Sequence, residues 1–265
     1  MIRHFTPAGV NHLLKWKSRF EAVGFESARA WRAALSRQMR DALVFSRIEY
    51  LPANLRTNLG LVVDVGANTG QWISAFLMFA DVDRIEAFEP NPDAFELLSD
   101  CLGNRPGTRL HALALGVDHG TADLNITTSS DLSSLLAPGE VLRKQYTPAK
   151  AEVIKQVAVR VSPLDGVIDG DVTVDLLKVD VQGFEHAVLR GARETLKRTR
   201  ALLIEANFVS HYAGDGSFGS LYSQISGELG FTFWDLAPPH RGSEGQALWA
   251  DAVFLNRAIA LTARF

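Results

Sequence analysis

The most informative residues form a short turn between a predicted strand and a predicted helix. Residues 61–65 are a short run rich in β-branched residues, typical of a buried strand, and the run ends at Gly66. Gly70 follows four residues later, and glycine permits a positive φ and a close approach of the backbone to a ligand. The spacing is G-x-x-x-G, whereas a dinucleotide site uses G-x-G-x-x-G to seat a pyrophosphate on a helix N-terminus. The turn therefore suits a cofactor without a phosphate, such as S-adenosylmethionine.

Residues that could contact such a cofactor lie in this turn and after the next predicted strand. Glu89 stands 19 residues after Gly70, at the end of the predicted strand over residues 84–88. An acidic side chain at this place can accept hydrogen bonds from both hydroxyls of a ribose. Asp64 could bind the cofactor's amino group or fix the turn. The predicted cofactor-binding residues are Asp64, Gly66, Asn68, Gly70, Gln71, Glu89, Pro90 and Asp180.

Four segments, in order along the chain, resemble the FkbM-type methyltransferases. They are residues 64–70, 87–91, 177–185 and 188–192, and the pair Ile204-Glu205 resembles the family's last core motif. The resemblance covers roughly residues 59–208. It implies a seven-stranded methyltransferase fold, S-adenosylmethionine as donor, and methyl transfer to a hydroxyl of a sugar or polyketide. Gln182 departs from the pattern, because the family commonly has glutamate there.

Methyl transfer to an alcohol requires a base that takes the proton of an aligned acceptor oxygen. We predict Asp180 and His186 as catalytic residues, because Asp180 ends a strand at the ligand-binding edge and a histidine titrates near neutral pH. An ion pair between Asp180 and Lys178 is the structural alternative, since alternation places both on one side of the strand. Asp180 and Glu205 could also bind Mg²⁺ through carboxylate oxygens, although nothing in their spacing demands a metal.

Residues outside these motifs could face the acceptor. The hydroxyl-rich residues 129–134 could contact the cofactor or close over the acceptor. Trp234 and Trp249 could stack on a sugar ring, although tryptophans near a C-terminal hairpin are commonly core residues. Three further residues follow the core and are interpreted as ordinary loop residues, namely His211, Tyr212 and His240.

The elements that must position these residues alternate along the chain from residue 59 onwards. Strands are predicted over residues 61–65, 84–88, 109–115, 122–127, 156–161, 176–181 and 201–206, with a closing hairpin of residues 232–236 and 252–256. Helices are predicted over residues 71–79, 93–102, 186–197 and 218–229, and the polar residues 129–155 are predicted to form a mobile loop. Together with the resemblance, the pattern predicts an α/β fold with a Rossmann-like seven-stranded methyltransferase sheet. This sheet is mostly parallel, with an antiparallel C-terminal hairpin.

The chain is predicted to begin with an N-terminal helical extension over residues 1–55, followed by a methyltransferase domain over residues 56–265. The extension carries a loose apolar helical face made of Trp31, Leu35, Met39, Leu43 and Phe45. Such a face could cover the core, contact a partner subunit, close over the active site or lie on a membrane surface. A homodimer through these helices is a hypothesis that rests on the face alone.

Composition limits the partners and the location. The chain has 265 residues, 47% of them hydrophobic, which is ordinary for a globular protein. The formal net charge of −3 gives no electrostatic reason to expect a nucleic acid as the main partner. Cys101 is the single cysteine, which fits a reducing, cytoplasmic setting. We expect no secretory signal and no transmembrane segment.

Three functions remain open from the sequence. The leading hypothesis is an O-methyltransferase acting on a hydroxyl of a sugar, in a polysaccharide, a glycolipid or a glycosylated natural product. An NAD-dependent oxidoreductase is the alternative enzyme, and the missing third glycine counts against it. A catalytically silent methyltransferase-like scaffold is the non-enzymatic alternative, and the acidic residues kept in the motifs count against that.

Overall fold

A computed structural model describes residues 37–145 and 148–259. In these residues the strands are β1 (Leu59–Val65), β2 (Val82–Phe88), β3 (Thr108–His111), β4 (Ala114–Leu115), β5 (Gly120–Thr127), β6 (Val153–Ser162), β7 (Val174–Val179), β8 (Thr199–Asn207), β9 (Thr232–Leu236), β10 (His240–Arg241) and β11 (Ala247–Leu255). The α-helices are α1 (Arg37–Ser46), α2 (Gln71–Phe76), α3 (Pro92–Leu102), α4 (Glu140–Gln145), α5 (Pro148–Ala151), α6 (Glu185–Arg190), α7 (Arg193–Lys197) and α8 (Phe218–Tyr222). A π-helix continues α8 over Ser223–Glu228.

The main sheet of the described chain has eight strands, in the order β10-β11-β8-β7-β1-β2-β3, with β9 also paired to β11. The five strands from β8 to β3 are parallel, whereas β11 runs antiparallel to β8 and to both β9 and β10. The predicted α/β class, with a mostly parallel sheet and an antiparallel C-terminal hairpin, is therefore confirmed. The two-residue β10 is an additional short strand beyond the seven expected.

The central strand β1 is buried on both faces, as expected for a parallel strand covered by helices. Leu61, Val63 and Val65 pack into the core cluster that includes α6 and α7 residues, whereas Val62 packs into the opposite cluster with α2 and α3. Because this run is buried, β1 extends to Val65, and the turn that follows lies at the carboxyl edge of the sheet.

Two predicted elements are divided in the structure. The strand predicted over residues 109–115 is two strands, since β3 belongs to the main sheet and β4 to a second, three-stranded sheet with β5 and β6. The helix predicted over residues 186–197 is α6 and α7, which are separated at Gly191. A Cβ atom on Gly191 would lie 1.9 Å from the carbonyl oxygen of Gly116, so the chain approaches another backbone segment at this break.

The polar residues 129–155 contain more regular structure than the predicted loop. A 3-10 turn (Ser130–Leu132), α4, α5 and the start of β6 lie in this stretch. A small buried cluster packs this segment against the distant Tyr212. Its members are Leu132, Leu142, Ala151 and Tyr212, and these few apolar residues order a stretch whose overall composition is polar. The mobility of this segment stays a prediction.

Most of the predicted N-terminal extension lies outside the described residues, including its apolar positions Trp31 and Leu35. Its described end packs on the core, because Leu43 is buried in the same cluster as α2 and the indole nitrogen of Trp72 donates to the carbonyl oxygen of Ser46 at 3.1 Å. The domain boundary after residue 55 and the homodimer stay predictions. No helix within residues 37–145 and 148–259 is long and apolar enough to cross a membrane.

Candidate active site

The carboxyl ends of β1, β2, β7 and β8 meet at one edge of the sheet, where ligands bind in open α/β folds. A cavity of about 670 Å³ lies at this edge. Its lining includes seven of the predicted site residues, namely Gly66, Asn68, Gln71, Glu89, Pro90, Asp180 and Glu205. Asp64, Gly70 and His186 are predicted site residues that are absent from this lining.

The turn after β1 is held against the ends of its two neighbouring strands. Gly66 has a φ of +76°, and a Cβ atom there would lie 1.8 Å from the carbonyl oxygen of Asp180. The backbone N–H groups of Gly66 and Ala67 both donate to the carbonyl oxygen of Phe88 at 3.0 Å. Gly70, at φ +79°, is the residue before α2 and packs against α3 rather than facing the cavity. Gly66 is therefore required because another backbone segment lies close to it, and Gly70 because its backbone has a positive φ.

Glu89 is fixed at the end of β2 by two backbone donors. Its Oε2 accepts from the N–H of Asn68 at 2.7 Å, and its Oε1 accepts from the N–H of Asn91 at 2.8 Å. The residue is only 7% exposed, and this burial raises the pKa of Glu89 to about 7 although both hydrogen bonds favour the charged form. A carboxylate oxygen accepts more than one hydrogen bond, so each oxygen retains capacity for a donor from the cavity.

Lys178 connects the turn to the two acidic residues beside it. Its Nζ lies 3.2 Å from Oδ1 of Asp64 and 3.5 Å from Oδ2 of Asp180, and it donates to the carbonyl oxygen of Gly66 at 3.0 Å. Burial acts to lower the pKa of Lys178, but the charges of Asp64 and Asp180 outweigh it and raise that pKa overall. The sequence-level alternative of a local ion pair is thus present, and Asp64 is buried beneath the turn.

Gln182 joins the acidic residues of the cavity. Its Nε2 donates to Oδ1 of Asp180 at 2.9 Å and makes a long contact of 3.5 Å to Oε2 of Glu205, while its Oε1 accepts from the hydroxyl of Tyr212 at 2.7 Å. Its φ of +58° is uncommon for a residue other than glycine, and such backbone strain clusters at functional sites. Burial, and then the nearby charges of Asp180 and Glu185, raise the pKa of Glu205 well above its ordinary value.

This arrangement does not fit the predicted Mg²⁺ site. The amide hydrogens of Gln182 face Asp180 and Glu205, so donor groups occupy the oxygens that would have to coordinate the cation. Across the described ranges of the chain, His, Cys, Asp and Glu form no cluster of three or more with metal-binding geometry.

His186 is placed outside the cavity, at the start of α6. Its Nδ1 lies 2.5 Å from Oε1 of Gln224 and its Nε2 lies 3.2 Å from the hydroxyl of Ser220. Both ring nitrogens therefore have partners in the π-helix and α8. The predicted role of His186 as general base has no geometric support here, because the loop after β7 turns α6 away from the cavity.

Asn207 and His211 are among the polar residues of the cavity that were not predicted as site residues from the sequence. His211, interpreted above as an ordinary loop residue, is only 2% exposed and lines the cavity, and its Nδ1 lies 2.8 Å from Oδ1 of Asn207. Alternation could have indicated Asn207, since it shares a strand face with Glu205 at the end of β8. No sequence pattern indicates the position of His211, which depends on how the following loop folds back.

The remaining walls of the cavity are aromatic and hydroxyl-bearing. Besides His211, the aromatic residues of the lining are Phe45, Trp72, Phe88, Phe184, His240 and Trp249. The rings of His240 and Trp249 stack with centroids 4.6 Å apart and planes 13° from parallel, whereas Trp234 is exposed on β9 and absent from the lining.

The hydroxyl-rich residues 129–134 cross the cavity. The Oγ of Ser130 donates to Oδ1 of Asn68 at 3.3 Å, and the Oγ of Ser134 donates to the carbonyl oxygen of Gln182 at 2.7 Å. This segment therefore contacts the turn after β1 at one end and the acidic network at the other.

A mostly parallel sheet with a glycine turn after β1 and a buried glutamate after β2 is the arrangement of Rossmann-like cofactor-binding folds. The family model of the methyltransferase FkbM domain matches residues 64–233, which is more than half of the chain. The chain belongs to the FkbM methyltransferase family. The oxidoreductase alternative is thereby set aside, and family membership implies S-adenosylmethionine as the methyl donor.

Three curated relatives have similar sequences. The chain is 26% identical over 196 residues to the 2-O-methyltransferase NoeI of Sinorhizobium fredii, covering 71% of this chain and 78% of the relative. It is 28% identical over 200 residues to the 31-O-demethyl-FK506 methyltransferase FkbM of Streptomyces tacrolimicus, covering 65% of this chain and 72% of the relative. It is 28% identical over 150 residues to the hexuronic acid methyltransferase AglP of Haloferax volcanii, covering 54% of each chain.

Proposed function

We propose that the protein transfers a methyl group from S-adenosylmethionine to a hydroxyl oxygen of a sugar. The observation that carries the proposal is the buried Glu89 carboxylate, tied to the backbone of the turn after β1 and lining the cavity. S-adenosylmethionine supplies an activated methyl group on a sulfonium, so the protein must orient the acceptor, exclude water and accept one proton.

The residues of the cavity fit the donor. Glu89 would accept hydrogen bonds from the two ribose hydroxyls, and the turn from Gly66 to Gly70 gives the backbone room to pass close to the ligand. Asn68 and Gln71 line the same end of the cavity. Asp180, held by Lys178 and Gln182, adds negative charge near the place where a cationic donor binds.

The acceptor side supports a sugar rather than a macromolecular surface. Stacked His240 and Trp249, together with Phe45 and Trp72, offer flat apolar faces beside a polar network, as small-molecule pockets do. The names of NoeI and AglP describe a 2-O-methyltransferase and a hexuronic acid methyltransferase, which supports an oxygen acceptor on a carbohydrate.

Calorimetric titration with S-adenosylhomocysteine, with and without Mg²⁺, tests the donor. We expect micromolar binding that Mg²⁺ leaves unchanged, because amide hydrogens of Gln182 face the two candidate ligands Asp180 and Glu205. Transfer of a labelled methyl group to a panel of methyl glycosides of neutral hexoses and hexuronic acids then tests the acceptor. Absence of S-adenosylhomocysteine binding to folded protein would refute the proposal, and binding without methyl transfer to any glycoside would refute the sugar acceptor.

Replacement of Glu89 by alanine is expected to weaken S-adenosylhomocysteine binding by about 1.5–3 kcal/mol, the cost of hydrogen bonds to a charged group. Calorimetry on Glu89→Ala measures the loss. Glu96→Ala is the matched control, because Glu96 is an exposed acid on the neighbouring helix α3 and is absent from the cavity lining. Equal affinities of the two variants would mean that Glu89 does not contact the ligand.

S-adenosylhomocysteine affinity should fall about tenfold between pH 8 and pH 6. Burial raises the pKa of Glu89 to about 7, and the ribose hydroxyls donate to its charged form, so binding at lower pH must first release a proton. Calorimetry at both pH values measures the effect. Burial also raises the pKa of Glu185 to about 7, so Glu89→Gln, which should flatten the profile, assigns the effect to Glu89. An unflattened profile would assign it to another group.

A further inference from the structure

His211 has one ring nitrogen with a partner and one without. Its Nδ1 lies 2.8 Å from Oδ1 of Asn207, and this amide oxygen can only accept, so the proton resides on Nδ1. The amide of Asn207 is oriented by its other end, where Nδ2 makes a long contact of 3.5 Å to Oε1 of Glu205. Nε2 of His211 is buried and has no hydrogen-bond partner among the described residues. His211 is one of the residues that line the cavity, and a buried nitrogen without a partner is a group that a ligand's hydrogen-bond donor can satisfy.

The surroundings of His211 favour the neutral ring. Burial lowers the pKa of His211, and the charge of Asp215 opposes this only in part. Asp215 accepts from the backbone N–H groups of His211 at 2.8 Å and Tyr212 at 3.1 Å, so it fixes the backbone of this loop. A neutral imidazole with a bare Nε2 is the form that a general base requires.

Other groups of the cavity are less suited to take a proton. Asp180 is engaged by Lys178 and Gln182, and Glu205 has a pKa raised well above its ordinary value. His240 is exposed and stacked on Trp249.

We propose that His211 is the general base of the methyl transfer and that Asn207 is a positioning residue that fixes its tautomer. The proposal rests on the methyltransferase function proposed above. The acceptor oxygen forms a bond to the methyl carbon, and the bond between that carbon and sulfur breaks with its electron pair passing to sulfur. The hydroxyl proton passes to Nε2 of His211, and the resulting imidazolium later releases it to water.

The tautomer can be measured without an acceptor. Nitrogen-15 NMR of histidine-labelled protein, with His211 assigned by comparison with His211→Gln, should show a protonated Nδ1 and a bare Nε2 at neutral pH. Asn207→Leu keeps a side chain of similar size but removes the acceptor, so it should lose this tautomer preference. A protonated Nε2, or a charged ring at pH 7.5, in the wild type would overturn the proposal.

The kinetic test compares His211 with His186. On the methyl glycoside that the wild type methylates best, His211→Gln should lower kcat by about 10²–10⁴-fold. Its S-adenosylhomocysteine affinity should stay within about threefold of the wild type, since proton transfer and not donor binding is lost. If His186 were the base instead, His186→Gln would show the large loss and His211→Gln would not, and that outcome also refutes the proposal.

Asn207→Leu separates positioning from general damage to the fold. A wild-type enzyme should lose kcat as pH falls through the pKa of His211, which burial lowers and the charge of Asp215 raises in part. Asn207→Leu should lower kcat while the KM for the donor is kept, and it should move the midpoint of this pH profile. An unchanged midpoint would contradict the role of Asn207. Failure of wild-type protein to bind S-adenosylhomocysteine would instead refute the methyltransferase proposal, and the NMR result would still report on His211.

Discussion

Replacement of Lys178 by methionine is expected to lower the free energy of unfolding by about 3–5 kcal/mol, the range for removing one partner of a buried ion pair. Asp64 is completely buried, and the ammonium group of Lys178 is the cation that lies 3.2 Å from it. Methionine fills a similar volume but leaves the Asp64 carboxylate without a counter-charge. The same change removes the hydrogen bond from Lys178 to the carbonyl oxygen of Gly66, so the cofactor turn should loosen as well.

Urea denaturation of four variants, namely Lys178→Met, Asp64→Asn, their double variant and Lys197→Met, separates these contributions. Lys178→Met in an Asp64→Asn background should cost much less than in the wild type, because no buried carboxylate is then left alone. Lys197→Met is the matched surface control, since Lys197 pairs with Glu194 at 2.7 Å but both side chains are about 70% exposed, and such pairs contribute about 0–1 kcal/mol. A loss in Lys178→Met no larger than in this control would show that Asp64 does not depend on Lys178.

The proposed donor half of the candidate site could be predicted because its determinants are local in sequence. Glycines after β1 and an acid after β2 occupy positions that strand and helix periodicity already fix, and Gly66, Asn68 and Glu89 do line one cavity. The fold class followed from the same alternation of strands and helices. Periodicity could not predict that Asp64 lies buried beside Lys178 and is absent from the cavity lining.

The place of His211 in the proposed acceptor half could not be predicted, because His211 lies on the loop after β8. From the sequence alone, His186 and His211 are equally plausible as the general base, and the choice between them depends on the tertiary fold. The loop after β8 turns His211 towards Asn207, whereas α6 directs His186 to Gln224 and Ser220. The small cluster of Leu132, Leu142 and Tyr212 is another such case, since it joins segments about 80 residues apart in sequence.

A second large loss of stability is expected from a substitution in the turn after β1. Gly66→Ala is expected to destabilise the protein by about 2–5 kcal/mol, from about 1–2 kcal/mol for a side chain in the left-handed region and about 1–3 kcal/mol for overpacking. The new Cβ atom would lie 1.8 Å from the carbonyl oxygen of Asp180, so one of the two segments must move. Neither moves easily, because Asp180 donates to the carbonyl oxygen of Val65 at 3.1 Å and Gly66 donates to that of Phe88.

Gly230→Ala isolates the steric part of this effect. Gly230 has a φ of +73°, close to the +76° of Gly66, but a Cβ atom there would meet no atom within 4 Å. Urea denaturation should therefore show a loss of only about 1–2 kcal/mol for Gly230→Ala. Calorimetry should show S-adenosylhomocysteine affinity reduced at least about tenfold, or about 1.4 kcal/mol, for Gly66→Ala alone. If both variants lost the same stability and kept the same affinity, close contact between the turn and Asp180 would not be what requires glycine at position 66.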